Sequence, residues 1–256
     1  MKNKFTILGC GSSLGSPWIT EYWGECNKKN KKNIRTRCCA HFQYKDISVL
    51  IDTSPDIKEQ IIKNKIKNVD AVIYTHEHAD QTSGIFELRP YYWLNKKKID
   101  IFASAKTMRE LKKKYDFIFK PKHGYIPIGK SNIIKKKFFI KKNKNKILIK
   151  AFEVPHGLIK ATGFLINKIA YLSDCSSIPK NIENILKNLD YLILDCLRVT
   201  YHPGHLNLEG ALEAIKCLKP KKTILTNLHV DFDYENLKRK LPKNVFPAYD
   251  GMSFTF

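Results

Sequence analysis

Thr75-His76-Glu77-His78-Ala79-Asp80-Gln81 packs two imidazoles and a carboxylate into five positions, directly after the apolar run Val69-Asp70-Ala71-Val72-Ile73-Tyr74. Imidazole and carboxylate are the side chains that Zn, Mn and Fe accept, and a loop leaving a buried strand can aim alternate side chains at one point. Two histidines spaced by two arise often by accident and would then merely face solvent. The added aspartate and the preceding strand favour a metal site. Candidate partners recur at the ends of other strand-like runs: Ala151-Phe152-Glu153-Val154-Pro155 ends in His156-Gly157, Ile169-Ala170-Tyr171-Leu172-Ser173 ends in Asp174, and Thr223-Ile224-Leu225-Thr226 leads to Asn227-Leu228-His229.

Such ligands have to be carried by an α/β framework. Phe5-Thr6-Ile7-Leu8 reads as an opening strand that runs into the glycine-rich Gly9-Cys10-Gly11-Ser12-Ser13-Leu14-Gly15-Ser16-Pro17. Ser54-Pro55-Asp56 signals a helix through about Lys63, with a cap, an early proline and an early acid. Ser104 caps a helix over Ala105 to Tyr115. Asn207 caps another from Leu208 to Leu218, whose Leu208, Leu212, Ile215 and Leu218 form an apolar stripe. A further helix is expected over Pro179 to Leu189. Between Ile133 and Phe152, lysines alternate with apolar residues around Lys141-Lys142-Asn143-Lys144-Asn145-Lys146, which predicts a hairpin with a solvated tip. No linker breaks the chain, so residues 1–256 are expected to form one domain.

Leu50-Ile51-Asp52-Thr53, the His76 to Asp80 motif, the lone His156, Ser173-Asp174 and the C-terminal His229 follow the order found in the metallo-β-lactamase superfamily, which the chain resembles over essentially its whole length. Within it, the glycine-rich first loop, Gly84-Ile85-Phe86-Glu87-Leu88-Arg89 and His205-Leu206-Asn207 look like the cyclic phosphodiesterase of the phosphonate-utilisation pathway and its relatives. The resemblance implies a four-layer αββα metallo-β-lactamase sandwich of two pseudo-duplicated halves, and a phosphodiesterase with two divalent metal ions, Zn or Mn. It would place His76, His78 and His156 on one metal and Asp80 and His229 on the second, with Asp174 bridging and Asp52 orienting the loop. Asp80 and Asp174 would also orient water, and His205 would act as general acid.

Two departures qualify these expectations. Gln81 stands where the family usually has a further histidine, and an amide oxygen is a poorer zinc ligand, so the second ion is expected to be weak, with Gln81 as a candidate ligand. A gap-free match puts the family's C-terminal histidine at Asn227. Strand periodicity keeps 227 and 229 on one face, and imidazole is the better ligand, so His229 is the expected choice. Ser12 and Ser13 are candidate phosphate-binding residues, against tight packing as the equal alternative. Arg35 and Arg37 are either a phosphate clamp or solvated loop residues.

The net charge is +22, from 40 Lys and only 6 Arg among the basic residues. A bias to Lys, Ile and Asn is what an AT-rich genome imposes, so a solvated lysine surface is the default reading, and nucleic acid is less favoured than a small anionic phosphodiester. Nothing approaches a membrane-spanning apolar run and no signal peptide opens the chain, so a cytoplasmic protein is expected; a homodimer is left open. Seven cysteines show no paired zinc spacing, and most sit in apolar runs that read as buried thiols. Rival readings are a tRNA 3′-end endonuclease-like metallohydrolase, which requires an arm to grip tRNA for which the short hairpin near Lys141 is a poor substitute, a thioester hydrolase, and a catalytically impaired phosphate-binding member.

Overall fold

Short apolar runs give fourteen strands, which the computed structural model, describing residues 3–256, sorts into two seven-stranded sheets. The first contains β1 (Lys4–Gly9), β2 (Cys39–Tyr44), β3 (Ile47–Ile51), β4 (Ala71–Ile73), β5 (Ile99–Ala103) and β6 (Gly129–Ile133) in sequence order. The second contains β7 (Lys137–Lys142), β8 (Asn145–His156), β9 (Ile159–Ile166), β10 (Ile169–Leu172), β11 (Tyr191–Asp195), β12 (Lys222–Thr226) and β13 (Val245–Pro247). The last strand, β14 (Ser253–Thr255), returns to pair antiparallel with β1. Each sheet is antiparallel at one side and parallel at the other: β3 to β6 run parallel, and so do β10 to β13.

Three apolar interfaces explain the layers. Between the sheets, Phe5, Phe42, Val49, Ile51 and Ile73 meet Phe138, Ile149, Phe164, Tyr171, Ile193 and Ile224. Outside the first sheet, Leu8, Leu50, Val72 and Ile101 pack against α1 (Ile57–Lys63), α3 (Arg89–Asn95) and α4 (Ala105–Lys114) through Ile57, Tyr91, Met108 and Leu111, with Ile118 of α5 (Asp116–Phe119) beside them; the four-residue α2 (Ala79–Thr82) follows β4. Outside the second sheet, Leu172, Leu192, Leu194 and Leu225 cover α6 (Lys180–Glu183), α7 (Leu208–Leu218) and α8 (Tyr234–Lys240) through Ile182, Ile215 and Leu237. A strand buried on both faces must be apolar at every position, which is why the central runs lack polar alternation. The architecture is αββα.

Local signals hold where they are local. Ser104 and Asn207 accept the backbone N–H groups of Thr107 and Gly210 and so cap α4 and α7. The expected hairpin forms between β7 and β8, with Asn143 left-handed at its turn. The helix expected over Pro179 to Leu189 does not: only Lys180–Glu183 is α-helical, a 3-10 turn covers Asn184–Leu186, and Asn188 takes φ 58°. Asn181, Asn184 and Asn188, residues of poor helix propensity, fall in this segment, while Ile182, Leu186 and Leu189 are buried regardless. Asp56 precedes α1 without capping it, because its carboxylate accepts from Arg37 N at 2.8 Å and pairs with Arg37 Nε at 3.0 Å. Among the described residues, no helix is long and apolar enough to cross a membrane.

Strand polarity gathers the chemistry. The C-terminal ends of β3, β4, β8, β10, β11 and β12 open onto Asp52, His76 to Asp80, His156, Asp174, Asp195 and Asn227, in line with the rule that ligands bind beyond the carboxyl ends of parallel strands.

Candidate metal centre

Asp52 sits in the left-handed region at φ 65° and turns its carboxylate back onto the metal loop. Oδ1 accepts from Thr75 N and Oδ2 from Thr75 Oγ1, both at 2.8 Å. Burial pushes this carboxyl up, and the two Thr75 bonds oppose that. Because the Thr75 hydroxyl spends its hydrogen on Asp52, its oxygen can only accept from His76 Nδ1, 3.0 Å away. The proton is thereby fixed on Nδ1, and Nε2 is left as a bare lone pair. That Nε2 is buried and has no hydrogen-bond partner, and burial lowers the His76 pKa to about 4. A buried, neutral, unpartnered imidazole nitrogen is the form a cation requires.

His156 repeats the arrangement from the second sheet. Its Nδ1 lies 2.7 Å from the Gly204 carbonyl, which fixes the proton there, and its Nε2 faces His78 Nδ1 at 3.3 Å. The ring centroids of His76, His78 and His156 lie 4.5, 4.9 and 5.1 Å apart, and one nitrogen from each comes within 4.8 Å of the others. The lone pairs fixed on His76 and His156, with a nitrogen of His78 beside them, fit a divalent cation. A second group overlaps the first: His156, Asp174 and His205 also bring ligand atoms within 4.8 Å. Burial raises the Asp174 carboxyl, but the neighbouring His76, His205 and His156 and the Ser173 hydroxyl at 2.6 Å bring it below the ordinary carboxylate range.

His205 carries the polarity of the site. Burial alone would lower its pKa, yet Asp195, whose Oδ2 lies 2.7 Å from Nδ1, outweighs this and holds the imidazolium up to about 9. Asp195 is fully buried and also accepts from Cys175 N at 2.9 Å. Sequence reasoning missed it, although Tyr191-Leu192-Ile193-Leu194 is an apolar run ending in a carboxylate like those leading to the other site residues.

The residues expected on a second ion are not brought together in the same way. His229 lies outside both groups: its ring packs edge-on to Trp18 at 5.6 Å between centroids, with Nδ1 2.9 Å from Asp231. The period-two argument fails because β12 stops at Thr226 and Asn227 turns to φ 63°, ending the alternation. Asn227 faces inward instead. Its amide nitrogen lies 3.1 Å from the Ser173 carbonyl, 3.2 Å from Asp195 Oδ1 and 3.4 Å from Asp174 Oδ1. Gln81 is fully buried, and the amide orientation that satisfies both its ends donates to Asp52 Oδ2 and the Cys38 carbonyl, each at 3.2 Å. Asp80 lies outside both groups among the described residues, and burial, followed by the charge of Asp174, raises its carboxyl to about 6.

Ser12 has a buried hydroxyl without a partner, whereas Ser13 is exposed. Arg35 is neither a clamp nor solvated. At 1 % exposure it donates to Asn33 Oδ1 and to the carbonyls of Phe232 and His229, stapling the first loop to the segment after β12.

Asn227 thus turns amide hydrogens, not a lone pair, toward Ser173, Asp174 and Asp195, and Gln81 offers at most an amide oxygen on the Asp80 side. Titration of metal-stripped protein should show one tight ion and one weaker by at least about tenfold, and Gln81→His combined with Asn227→His should tighten the weaker one, most of all for Zn. His229→Ala should change neither. Calorimetry makes the comparison; two equally tight ions in the native chain, or a loss on His229→Ala, would show this placement to be mistaken.

An αββα sandwich with a His-x-His-x-Asp loop between its sheets defines a metallo-β-lactamase-fold hydrolase, and the chain belongs to the beta-lactamase superfamily, whose domain model matches residues 48–227. The relationship narrows to the PhnP family. A crystal structure described as a new diphosphatase from that family is 32% identical, with a TM-score of 0.91, over 100% of this chain and 98% of that one. The short form of human tRNase Z shares the fold at a TM-score of 0.69, 18% identity and 98% of both chains. A Porphyromonas gingivalis protein named octanoyltransferase is 26% identical over 251 residues, 96% of this chain and 50% of that protein. The chain therefore spans half the length of that curated relative.

Proposed function

We propose that the chain is a metal-dependent phosphodiesterase that cleaves a small phosphodiester, with His76, His78, His156 and Asp174 holding the principal cation. The observation that carries this reading is the placement of an imidazolium, His205, against the cluster of His76, His78 and His156: the His156 ring centroid is 4.7 Å from that of His205. When bound, a divalent cation supplies a nucleophilic water at neutral pH and offsets charge on the phosphoryl oxygens.

The chain's own residues do the rest. His205 keeps its Nδ1 proton on Asp195 and so presents Nε2–H, the proton that a leaving alkoxide needs. Asp174, held by Ser173 and below the ordinary carboxylate range, remains anionic beside the imidazoles. The partnerless Ser12 hydroxyl is a candidate donor to a phosphoryl oxygen. A protonated acid matters most for a poor leaving group, which favours an ester of a sugar or nucleoside alcohol over a bond whose leaving group is itself an acidic phosphate. The 32%-identical relative is described as a diphosphatase, so the diphosphate bond is the comparison substrate to include.

The test is a metal-activated screen of bis-p-nitrophenyl phosphate, cyclic nucleotides, cyclic sugar phosphates, a dinucleoside diphosphate, precursor tRNA and a thioester. The expected result is hydrolysis of bis-p-nitrophenyl phosphate together with at least one cyclic phosphodiester. Thioester cleavage alone would sink the reading. Tight phosphate binding without turnover on any ester would identify a catalytically impaired member instead.

A further inference from the structure

Glu77, between the two loop histidines, points away from them to α4. Its carboxylate accepts from Thr107 Oγ1 at 3.0 Å and pairs with Lys106 at 2.9 Å, while Lys114 Nζ donates to its carbonyl at 2.9 Å. The metal loop is thereby clamped to α4, and the chain that leaves α4 carries Phe117 and Tyr125 beside the segment that leaves the loop, which carries Phe86, Arg89 and Trp93.

These residues form an unusual surface. Phe86, Phe117 and Tyr125 pack ring to ring at 5.9, 6.3 and 5.7 Å between centroids. The Arg89 guanidinium lies 5.7, 5.8 and 5.1 Å from the centres of Phe86, Trp93 and Tyr125, and Lys96 Nζ lies 4.7 Å from that of Trp93. Arg89 takes part in none of the ion pairs among the described residues. Yet the aromatics are not closed over: Phe86, Trp93 and Tyr125 remain 40%, 42% and 43% exposed. Partly exposed aromatic rings, with a guanidinium outside every ion pair held over them, are the elements by which proteins stack bases and meet phosphate in single strands. A second copy of the chain is the poorer occupant, since a net charge of +22 on each copy repels at close approach.

We propose that Phe86, Arg89, Trp93 and Tyr125 form a nucleobase-stacking exosite for single-stranded nucleic acid, beside the metal loop. The exosite goes beyond the phosphodiesterase reading and does not depend on it, because stacking requires neither metal nor turnover. Phe86, Arg89 and Trp93 lie close in sequence, but Phe117 and Tyr125 join them only through the fold, and the overall lysine excess hides the cluster.

Binding of a fluorescein-labelled deoxyadenosine decamer to the full chain, followed by anisotropy with and without EDTA, tests this apart from hydrolysis. Tyr125→Ala and Trp93→Ala should each weaken binding by at least about fivefold, and Arg89→Lys, which keeps the charge but loses the plane, should weaken it as well. The double variant Lys141→Glu, Lys144→Glu changes more charge, at a hairpin whose Lys142 pairs with Asp70 at the opposite end of β4 from the metal loop, and should retain the aromatic contribution. Wild-type affinity in the aromatic variants, or equal competition by inorganic polyphosphate, would mean that the lysine field alone binds and would overturn the proposal. So would a dimer, seen by sedimentation, that the same variants dissolve while the decamer fails to bind.

Discussion

His76→Ala should strip the tight cation from the protein, lower metal affinity by more than about hundredfold, and take hydrolysis to background while the sandwich stays folded. Losing even the groups that orient a ligand costs roughly 10- to 100-fold in affinity, and here the ligand itself goes. The layers are held by three apolar interfaces that do not include the imidazole, so far-ultraviolet circular dichroism and a cooperative melt should persist. Asp174→Ala should behave in the same way. Thr75→Val separates holding from orienting: it keeps every ligand but removes the oxygen that fixes the His76 tautomer, so affinity should fall by about 10- to 100-fold with no ligand lost. Metal analysis beside turnover on bis-p-nitrophenyl phosphate decides the matter. A His76→Ala protein that binds metal and turns over like the wild type would remove this loop from the site.

The loop and its partners stand out in the sequence because each follows an apolar run, and a mostly apolar strand delivers its next polar residue to the end of a sheet. His76, His78, His156 and Asp174 are candidates of this kind, and the fold brings His76, His78 and His156 together, with Asp174 beside His156. Asp195 ends an identical run and was passed over, since one carboxylate after Leu192-Ile193-Leu194 shows no partner until the fold sets it 2.7 Å from His205. The choice between Asn227 and His229 turned on one backbone angle. Strand periodicity is a property of extended residues, and nothing in Thr226-Asn227-Leu228 declares that Asn227 leaves the strand at φ 63°, although asparagine is among the residues that tolerate it. Arg35 reads from the sequence as either a phosphate clamp or a solvated loop residue, yet three acceptors and full burial make it structural. Caps and the β7–β8 hairpin were legible because their causes lie within a few residues, whereas the surface around Arg89 exists only after α3 and the segment beyond α4 have packed side by side.

Asp195 therefore supports the second large expected effect, which concerns protons rather than ligands. His205→Ala should lower kcat/KM by about 10²- to 10⁴-fold on a cyclic nucleotide or sugar phosphodiester but much less on bis-p-nitrophenyl phosphate, because p-nitrophenolate leaves without a proton. The pH dependence follows from the direction of the His205 shift. Its folded-state pKa is raised to about 9, so the acid form is present at neutral pH and is lost as pH rises through that value. Activity on alkoxide-leaving esters should thus decline above about pH 9. Asp195→Asn keeps the shape of the side chain and removes the anion that outweighs burial, so the alkaline limb should move down and activity at pH 8 should fall, with metal content unchanged. Kinetics across that pH range on paired substrates make the measurement. Equal losses on activated and unactivated esters, or an alkaline limb that Asp195→Asn leaves in place, would show that His205 positions the substrate or the cation and does not donate the proton.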